Sequence, residues 1–500
     1  PAEVLQALQS GAAAGALQAL QRWGWTLLYR PSRDALESLI AQAAALDAAA
    51  VVPYRLGMRI ELDHLPHEAM RELNHAAPPP SEVLAWLQSR AEQMYDHYAA
   101  AIAHADAVLH AGLGDLHPLT LACVYSKGQA LTEAGRPGEA VALLPHALRA
   151  ARRDGLHLLE LLCSHALARA ADEAGDAALA ETVLATALSR LESLAPTPTA
   201  HALKRLAAAR ALRRLDTDAA APWLSGAPRG AGHWSFPYEV LLAQSELMQG
   251  QASAALTRWK ALEARAAVDF ICARWRADLG HLRVWCLVVS GERGELVRLA
   301  GQFTPPPAGS DASVWREALH CLAADLWSAG EAVARHAPAL AEELTRQGLR
   351  RLASRARLLQ GLAGDTDALA AWLDDSAGHD LIDALWLAPK AAPALTRFLQ
   401  SPAGAQRSEA HALARQLSAR LVAREPAAVP APEAPLPPGL TRREWAVLQA
   451  IAQGWTNEQI ASRMHVSLAT VKTHVNHIYS KLQIGSRDEA KVRALQLGAS

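Results

Sequence analysis

Polar side chains that could bind a nucleic acid form two neighbouring rows within residues 470–482, TVKTHVNHIYSKL. On a helix, one row holds Lys472, Thr473, Asn476 and Ser480, and the other holds Thr470, His474, His477 and Lys481. A lysine can donate to the acceptors of guanine, and an asparagine amide can form two hydrogen bonds with adenine. No aspartate or glutamate interrupts either row. The two rows therefore predict an exposed surface suited to the major groove of DNA.

Apolar residues on the same stretch predict how this helix is held. Val471, Val475, Ile478 and Leu482 recur at i, i+4, i+7 and i+11 and form one continuous seam. Three capping boxes predict neighbouring helices: Thr441 with Glu444, Thr456 with Gln459, and Ser486 with Glu489. Ser467 can cap the helix that carries the polar rows. We expect helices at about 441–453, 456–463, 467–482 and 486–497, and a short helix followed by a tight turn and a longer helix is helix-turn-helix geometry.

Charge is distributed unevenly along the 500 residues. The whole chain has 49 lysines and arginines against 50 acidic residues, whereas residues 440–497 have eight against four. The basic excess is thus confined to the C-terminal end. This asymmetry indicates an acidic body joined to a polyanion-binding module.

Before this module, glycines recur at a period typical of helical repeats. Gly135, Gly175, Gly250, Gly291, Gly330 and Gly364 are spaced by 40, 75, 41, 39 and 34 residues, and RLDTDAA at 214 stands in the middle of the long gap. Each glycine suits a turn between two paired helices. The pattern predicts a tetratricopeptide-like α-solenoid, in which each helical hairpin buries its apolar face by stacking on the next. The alternative is a plain helical bundle.

Composition and the positions of proline and glycine divide the chain into four parts. Alanine and leucine dominate, which favours an all-α fold. We expect an irregular helical region at 1–115, the helical repeats at 116–423, a Pro/Ala-rich linker at 424–439 and the DNA-binding module at 440–500. The five cysteines are scattered without metal-ligand spacing, and no apolar run is long enough to span a bilayer. Cytoplasmic localisation, reduced core thiols and no bound metal are therefore expected.

Residues 440–492 resemble the LuxR-type DNA-binding domain over its whole length. Matching positions include Leu440, Thr441, Glu444, Gly454, Asn457, Ile460, Val466, Ser467, Thr470, Val471, Lys472, His474, Lys481 and Arg487. The resemblance implies that Lys472, Thr473 and Asn476 face base edges, although position 476 varies within the family. It implies phosphate or structural contacts for Thr456, Asn457, Ser467, Thr470, His474 and Lys481. An internal ion pair or cap is the better interpretation of Glu444 and Arg487.

The order of repeats and module resembles the MalT-like, or large ATP-binding LuxR, regulators, which carry an N-terminal NTPase domain. This sequence has no G-x-x-x-x-G-K-[ST] phosphate loop, so the chain is not expected to hydrolyse ATP. We expect no cofactor in this chain, and ATP only if a missing N-terminal NTPase domain exists. The chain begins at Pro1 without a methionine, which suggests a fragment of a longer protein.

These features predict a transcriptional regulator, an activator, and not an enzyme. The expected partners are double-stranded DNA, RNA polymerase and a small-molecule inducer or protein on the solenoid, with two chains on DNA. The alternative is an interaction scaffold whose helix-turn-helix makes protein contacts. No nucleophile motif, metal cluster or paired-carboxylate arrangement supports an enzyme.

Aromatic residues gather in two central segments, at 233–247 and 270–289. They are Trp234, Phe236, Tyr238, Trp275 and Trp285, and Arg274, Arg276 and His281 add donors. Helical spacing of large residues favours an inter-repeat core. The alternative is an inducer pocket with aromatic walls and cationic donors.

Overall fold

The computed structural model describes eleven stretches of the chain, and these contain α-helices and their connections without a β-strand. The described residues are 2–30, 33–63, 66–73, 80–191, 198–226, 235–327, 330–376, 380–422, 440–452, 455–463 and 468–496. Two compact units are present, Pro1–Glu425 and Pro426–Ser500. The division between them falls in the Pro/Ala-rich stretch 424–439, which lies outside the described residues.

Within the described residues, seven helices precede the repeats. They are α1 (Ala2–Ser10), α2 (Ala13–Leu28), α3 (Arg33–Ala44), α4 (Val52–Glu61), α5 (Pro66–Leu73), α6 (Ser81–Met94) and α7 (Tyr98–His110). Most of their buried apolar side chains, including the fully enclosed Trp86, belong to the same apolar cluster as the first repeat helices. This region therefore continues directly into the repeats.

Seven helical pairs follow in the part of the chain that the structure describes. They are α8 (Pro118–Glu133) with α9 (Pro137–Arg153), α10 (His157–Glu173) with α11 (Ala177–Leu191), α12 (Pro198–Arg213) with α13 (Thr217–Ser225), α14 (Phe236–Met248) with α15 (Ala252–Ala266), α16 (Ala273–Ser290) with α17 (Arg293–Ala300), α18 (Ala312–Asp325) with α19 (Glu331–Arg346), and α20 (Arg350–Leu362) with α21 (Thr366–Ser376). The first helix of each pair contacts the first helix of the next pair. This sequential stacking confirms the solenoid and not a plain bundle.

The turns within the pairs confirm the glycine period. All six predicted glycines have positive φ, from 71° at Gly330 to 128° at Gly364. In the long gap, Leu215 takes the same left-handed conformation, with φ 62°. A leucine there has a steric cost that glycine avoids. The geometry of the turn is thus maintained at the position that lacks glycine.

The repeat array coils tightly enough for distant pairs to meet. Helix α8 contacts α18, and α10 contacts α20. A Cβ added to Gly135 would lie 3.1 Å from the carbonyl oxygen of Ser310, and one added to Gly175 would lie 3.0 Å from Cβ of Arg350. Turns of the first two repeats therefore pack against residues of the last two.

Most of the central aromatic residues form the inter-repeat core. Phe236, Tyr238 and Trp285 are all at least 95% buried within the largest apolar cluster. Trp275 is also buried but lines a cavity together with Arg274. Three of the five aromatic residues proposed for an inducer pocket therefore belong to the core. Trp234 lies outside the described residues.

Up to residue 422, the described part of the first unit has four further helices: α22 (Ile382–Trp386), α23 (Ala388–Leu399), α24 (Pro402–Gln406) and α25 (Ser408–Val422). The five cysteines are free, and all except Cys272 are buried. No described helix is long and apolar enough to cross a membrane. The described side chains contain no cluster of three potential metal ligands.

The second unit contains α26 (Arg442–Ala452), α27 (Asn457–Arg463), α28 (Leu468–Leu482) and α29 (Arg487–Gln496). Each helix begins one residue after its predicted start, because the predicted ranges included the cap residue. Each ends within one residue of its predicted end. Val471, Val475 and Ile478 are buried in the core of this unit, and Leu482 packs against it. The predicted apolar seam is confirmed.

Candidate nucleic-acid interface

One face of α28 is buried, and the opposite face carries the predicted base-reading residues. Lys472, Thr473 and Asn476 are all exposed, whereas the neighbouring Val471 and Val475 are buried. Spacing of three to four residues keeps Lys472, Thr473 and Asn476 on one side of the helix. The structure therefore brings these three side chains together on an accessible helical face.

Helices α27 and α28 contact each other as the two helices of a helix-turn-helix. Helix α26 contacts both α28 and α29 and so supports the second helix of the motif from behind. The turn at 464–467, including the predicted cap Ser467, lies outside the described residues. Because α28 rests on its buried seam, its polar face can meet a partner without disturbing the core.

Two capping boxes form as predicted. Glu444 Oε2 accepts from the Thr441 backbone N–H at 2.8 Å, and Gln459 Oε1 accepts from the Thr456 N–H at 2.8 Å. The threonine hydroxyls accept the reciprocal bonds from the Glu444 and Gln459 N–H groups, at 3.4 and 3.3 Å. These bonds satisfy N–H groups that a helix start leaves unpaired. Helices α26 and α27 therefore begin at defined residues.

The third box differs from its prediction by one residue. Ser486 Oγ accepts from the Glu489 N–H at 3.2 Å, as expected of a cap. The Glu489 carboxylate, however, accepts from the Gly485 N–H at 2.8 Å instead of from Ser486. The side chain thus caps the residue before the serine, and the helix start is still satisfied.

Glu444 is also the buried partner in an ion pair with Lys481. Its side chain is 4% exposed, and Oε2 accepts a 2.7 Å bond from Lys481 Nζ. The Lys481 bond, with the bonds from Thr441, lowers the pKa of Glu444 to about 2. Lys481 was predicted to contact phosphate or to have a structural role, and the geometry gives it a structural partner.

Arg487 orients the start of the helix-turn-helix. Its Nη1 donates to Asn457 Oδ1 at 2.9 Å, and its Nη2 donates to the Trp455 carbonyl. Because the oxygen of the Asn457 amide accepts from Arg487, the amide NH₂ is left to donate elsewhere. Sequence reasoning assigned Arg487 an internal role but did not identify Asn457 as its partner, because the two residues are 30 positions apart.

The remaining predicted residues flank the Lys472 row. Thr470 and His474 are half-buried on α28, and Thr456 is exposed at the start of α27. Lys472 has no carboxylate oxygen within 4 Å among the described residues. The pKa of Glu458 on α27 is lowered mainly by hydrogen bonds from its own N–H and from Thr456, and the charge of Lys472 contributes less. The amine of Lys472 is therefore available for an incoming acceptor.

Comparison with known proteins agrees with this geometry. Residues 438–494 match the family model "Bacterial regulatory proteins, luxR family". The chain is 47% identical over 57 residues to response regulator protein VraR of Staphylococcus aureus, S. saprophyticus and S. epidermidis. The match covers 11% of this chain and 27% of each relative, so the chain spans about a quarter of the length of these proteins. The fold and the side chains of the second unit define a helix-turn-helix domain. That domain is of the LuxR type.

Proposed function

We propose that this chain is a sequence-specific, DNA-binding transcriptional activator whose helical repeats receive an effector or a partner protein. The observation that carries the proposal is the exposed row of Lys472, Thr473 and Asn476 on the second helix of a LuxR-type motif. Contacts with phosphates position such a helix, and contacts with base edges give it specificity. Phosphate contacts are assigned to Thr456, Thr470 and His474, with Asn457 donating through its oriented amide. The same role is proposed for Ser467 by resemblance.

The architecture supports a MalT-like regulator. A helical-repeat unit precedes a LuxR-type module in the same chain, which is the order that this class has. The relatives are named response regulators, which supports a regulatory role for the shared module. No catalytic role and no cofactor are proposed for the chain, and RNA polymerase is the proposed downstream partner.

Two copies of the chain should bind one operator. A single module of this size offers a small DNA interface, so useful affinity needs paired half-sites. A Pro/Ala-rich stretch between the repeats and the module suits this arrangement, because linked modules bind with a raised effective concentration. Sedimentation of the chain on a duplex with two half-sites should show two chains bound. One chain per duplex at saturating protein would count against this arrangement.

Selection from a randomised duplex library tests the proposed specificity. The 500-residue chain is incubated with the library, and the bound duplexes are sequenced. We expect one recurring sequence, and we expect the double variant Lys472→Ala, Asn476→Ala to lose it. Binding without any enriched sequence would contradict specific recognition, and failure to retain any duplex would favour the interaction scaffold.

A further inference from the structure

A cavity of about 680 Å³ lies inside the helical-repeat unit. Its walls come from the α6–α7 turn and from α8, α10, α12 and α16, with Tyr98, Tyr125, Arg169, Arg205, Arg274 and Trp275 among the lining residues. This volume is within the range of sites that enclose small molecules. A smaller cavity of about 140 Å³ shares His165, Arg169, Arg205 and Arg274 with it.

Arg205 is a buried cation that lacks an anionic partner. The residue is 8% exposed, lines both cavities, and has neither a hydrogen bond nor a carboxylate oxygen within 4 Å among the described residues. Its contact is with the ring of Trp275, whose centroid lies 5.8 Å from the guanidinium carbon. Burying a charge is costly unless it is paired and hydrogen-bonded. An anion in the cavity would supply the missing partner.

The carboxylates of the cavity wall are already engaged by other groups. Glu133 accepts from Arg169, and its second oxygen lies 3.5 Å from Arg316. The Asp96 carboxylate accepts from the Ala273 N–H at 2.6 Å and from the Tyr98 hydroxyl at 2.8 Å. Asp63 and Glu68 form ion pairs at 2.9 Å with Arg33 and Arg59, which do not line the cavity. No carboxylate of this cavity's described wall is therefore left for Arg205. Asp278, in the wall of the smaller cavity, acts on its charge only from beyond 4 Å.

A second arginine beside Arg205 is only weakly compensated. Arg274 Nε lies 4.0 Å from the Glu133 oxygen that already accepts from Arg169. Burial, together with the nearby charge of Arg169, lowers the pKa of Arg274 to about 10. Arg205 and Arg274 thus present neighbouring guanidinium groups to one cavity, and guanidinium is suited to carboxylate and phosphate.

The rest of the wall suits an apolar or aromatic body. Tyr98, Tyr125 and Trp275 are each at least 93% buried and supply ring surface. Thr199 adds a buried hydroxyl that has no hydrogen-bond partner in the described structure and lines the same cavity. At the rim, the Tyr95 and Phe270 rings meet edge to face with centroids 5.8 Å apart.

We propose that this cavity binds a small organic anion. Its carboxylate or phosphate is held by Arg205 and Arg274, and its apolar or aromatic body packs against Tyr98, Tyr125 and Trp275. If this ligand is the effector, the effector is an organic anion, and that regulatory role rests on the proposed function. Binding to the cavity is measurable without DNA, so the two proposals can fail separately.

Four probes test the proposal on the full chain: benzoate, phenyl phosphate, inorganic phosphate and neutral benzyl alcohol. A ligand that binds the folded state raises the unfolding temperature, because it adds stability that grows with the logarithm of one plus its concentration over its Kd. We expect benzoate or phenyl phosphate at millimolar concentration to raise the unfolding temperature, and benzyl alcohol to leave it unchanged. The benzoate and phenyl phosphate results distinguish carboxylate from phosphate, and inorganic phosphate shows whether the aromatic body contributes.

The variant Arg205→Met separates ligand binding from structural support. Without ligand, its unfolding temperature should equal or exceed that of the parent chain, because an unpaired buried charge is replaced by an apolar side chain of similar length. Its affinity for the anionic probe, measured by calorimetry, should fall about tenfold or more. Arg276→Met is the matched control, because Arg276 lies on α16 with Arg274, has a side chain that is 61% exposed and does not line the cavity. Its ion pair with Asp96 is long, at 3.8 Å.

The proposal is overturned if neither benzoate nor phenyl phosphate binds the parent chain, or if Arg205→Met binds them as tightly as the parent. It is also overturned if benzyl alcohol binds as tightly as benzoate, since the cations would then contribute nothing. Anion binding in a chain that binds no duplex would support this site while contradicting the regulatory function.

Discussion

Lys481 Nζ, at the C-terminal end of α28, donates a 2.7 Å hydrogen bond to Glu444 Oε2 at the start of α26. The same carboxylate oxygen accepts from the Thr441 N–H, so one buried group joins a helix cap to the end of α28. His477 Nδ1, also on α28, lies 3.9 Å from the other oxygen. Glu444 therefore joins the C-terminal part of α28 to the start of α26.

Replacing Lys481 with methionine should weaken the module. The change leaves a buried carboxylate without its cation, which costs about 1–3 kcal/mol of unfolding free energy. Hydrogen–deuterium exchange of peptides from 440–496 in the full chain measures the loss for this module alone. Lys491→Met is the matched control, because Lys491 forms an exposed pair with Asp488 at 3.5 Å, worth at most about 1 kcal/mol.

The same variant tests the phosphate role predicted for Lys481. If its amine contacts a phosphate, Lys481→Met weakens binding to all duplexes alike and reduces the salt slope by about 1. Unchanged protection from exchange together with a reduced slope would show that the amine serves DNA instead of Glu444.

Acid should destabilise the module through Glu444. The pKa of this carboxyl in the folded state is about 2, below its ordinary value of 4.5, so its ion pair stabilises the fold above pH 4.5. That stabilisation is lost as the pH falls from about 4.5 toward 2. Exchange protection of 440–496 should decline over this window, and Glu444→Gln, which keeps an oxygen for the Thr441 N–H, should remove the contribution of this group. An identical pH profile in the parent chain and in Glu444→Gln would contradict a stabilising role for the Glu444 ion pair.

Base recognition should depend on Lys472 and Asn476 separately. Either alanine variant should cost about 1–3 kcal/mol on the preferred duplex and reduce discrimination between duplexes, because each residue is proposed to read a base edge. Fluorescence anisotropy on preferred and scrambled duplexes measures both effects. If Lys472→Ala binds the preferred duplex with unchanged affinity and preference, the row is a solvated face that does not contact bases.

Two glycine turns in the repeats offer a matched comparison. Gly135 and Gly250 have nearly equal φ, 79° and 78°, but a Cβ at Gly250 meets nothing within 4 Å, whereas one at Gly135 lies 3.1 Å from the Ser310 oxygen. Gly250→Ala should cost about 1–2 kcal/mol from backbone strain, and Gly135→Ala should cost more. Unfolding temperatures compare the two variants. Equal losses would show that the contact between the first and sixth repeats carries no stability.

The features that sequence reasoning predicted are those set by residues close together in the chain. The Thr441–Glu444 and Thr456–Gln459 boxes involve partners three residues apart, and the Val471–Leu482 seam is one helical period repeated. Even the turn without glycine was placed correctly, because the length of each helical pair fixes where the next turn falls.

What could not be predicted depends on pairings between distant residues. The Lys481–Glu444 bond spans 37 positions, and Asp96 accepts from the N–H of Ala273 across 177 positions. The coiling of the repeats decides which of their many arginines reach a carboxylate and which, like Arg205, do not. A local pattern contains no information on that coiling, so the central aromatics could be read as either pocket or core.

The salt dependence of duplex binding tests the central claim most directly. The full chain is titrated onto the selected duplex at increasing salt concentration, and the logarithm of the association constant is plotted against that of the salt concentration. We expect binding that weakens with a slope of about −3 or steeper, since neutralised phosphates release counterions in proportion to their number. Absence of binding to any duplex at low salt would contradict the assignment of this chain as a DNA-binding regulator.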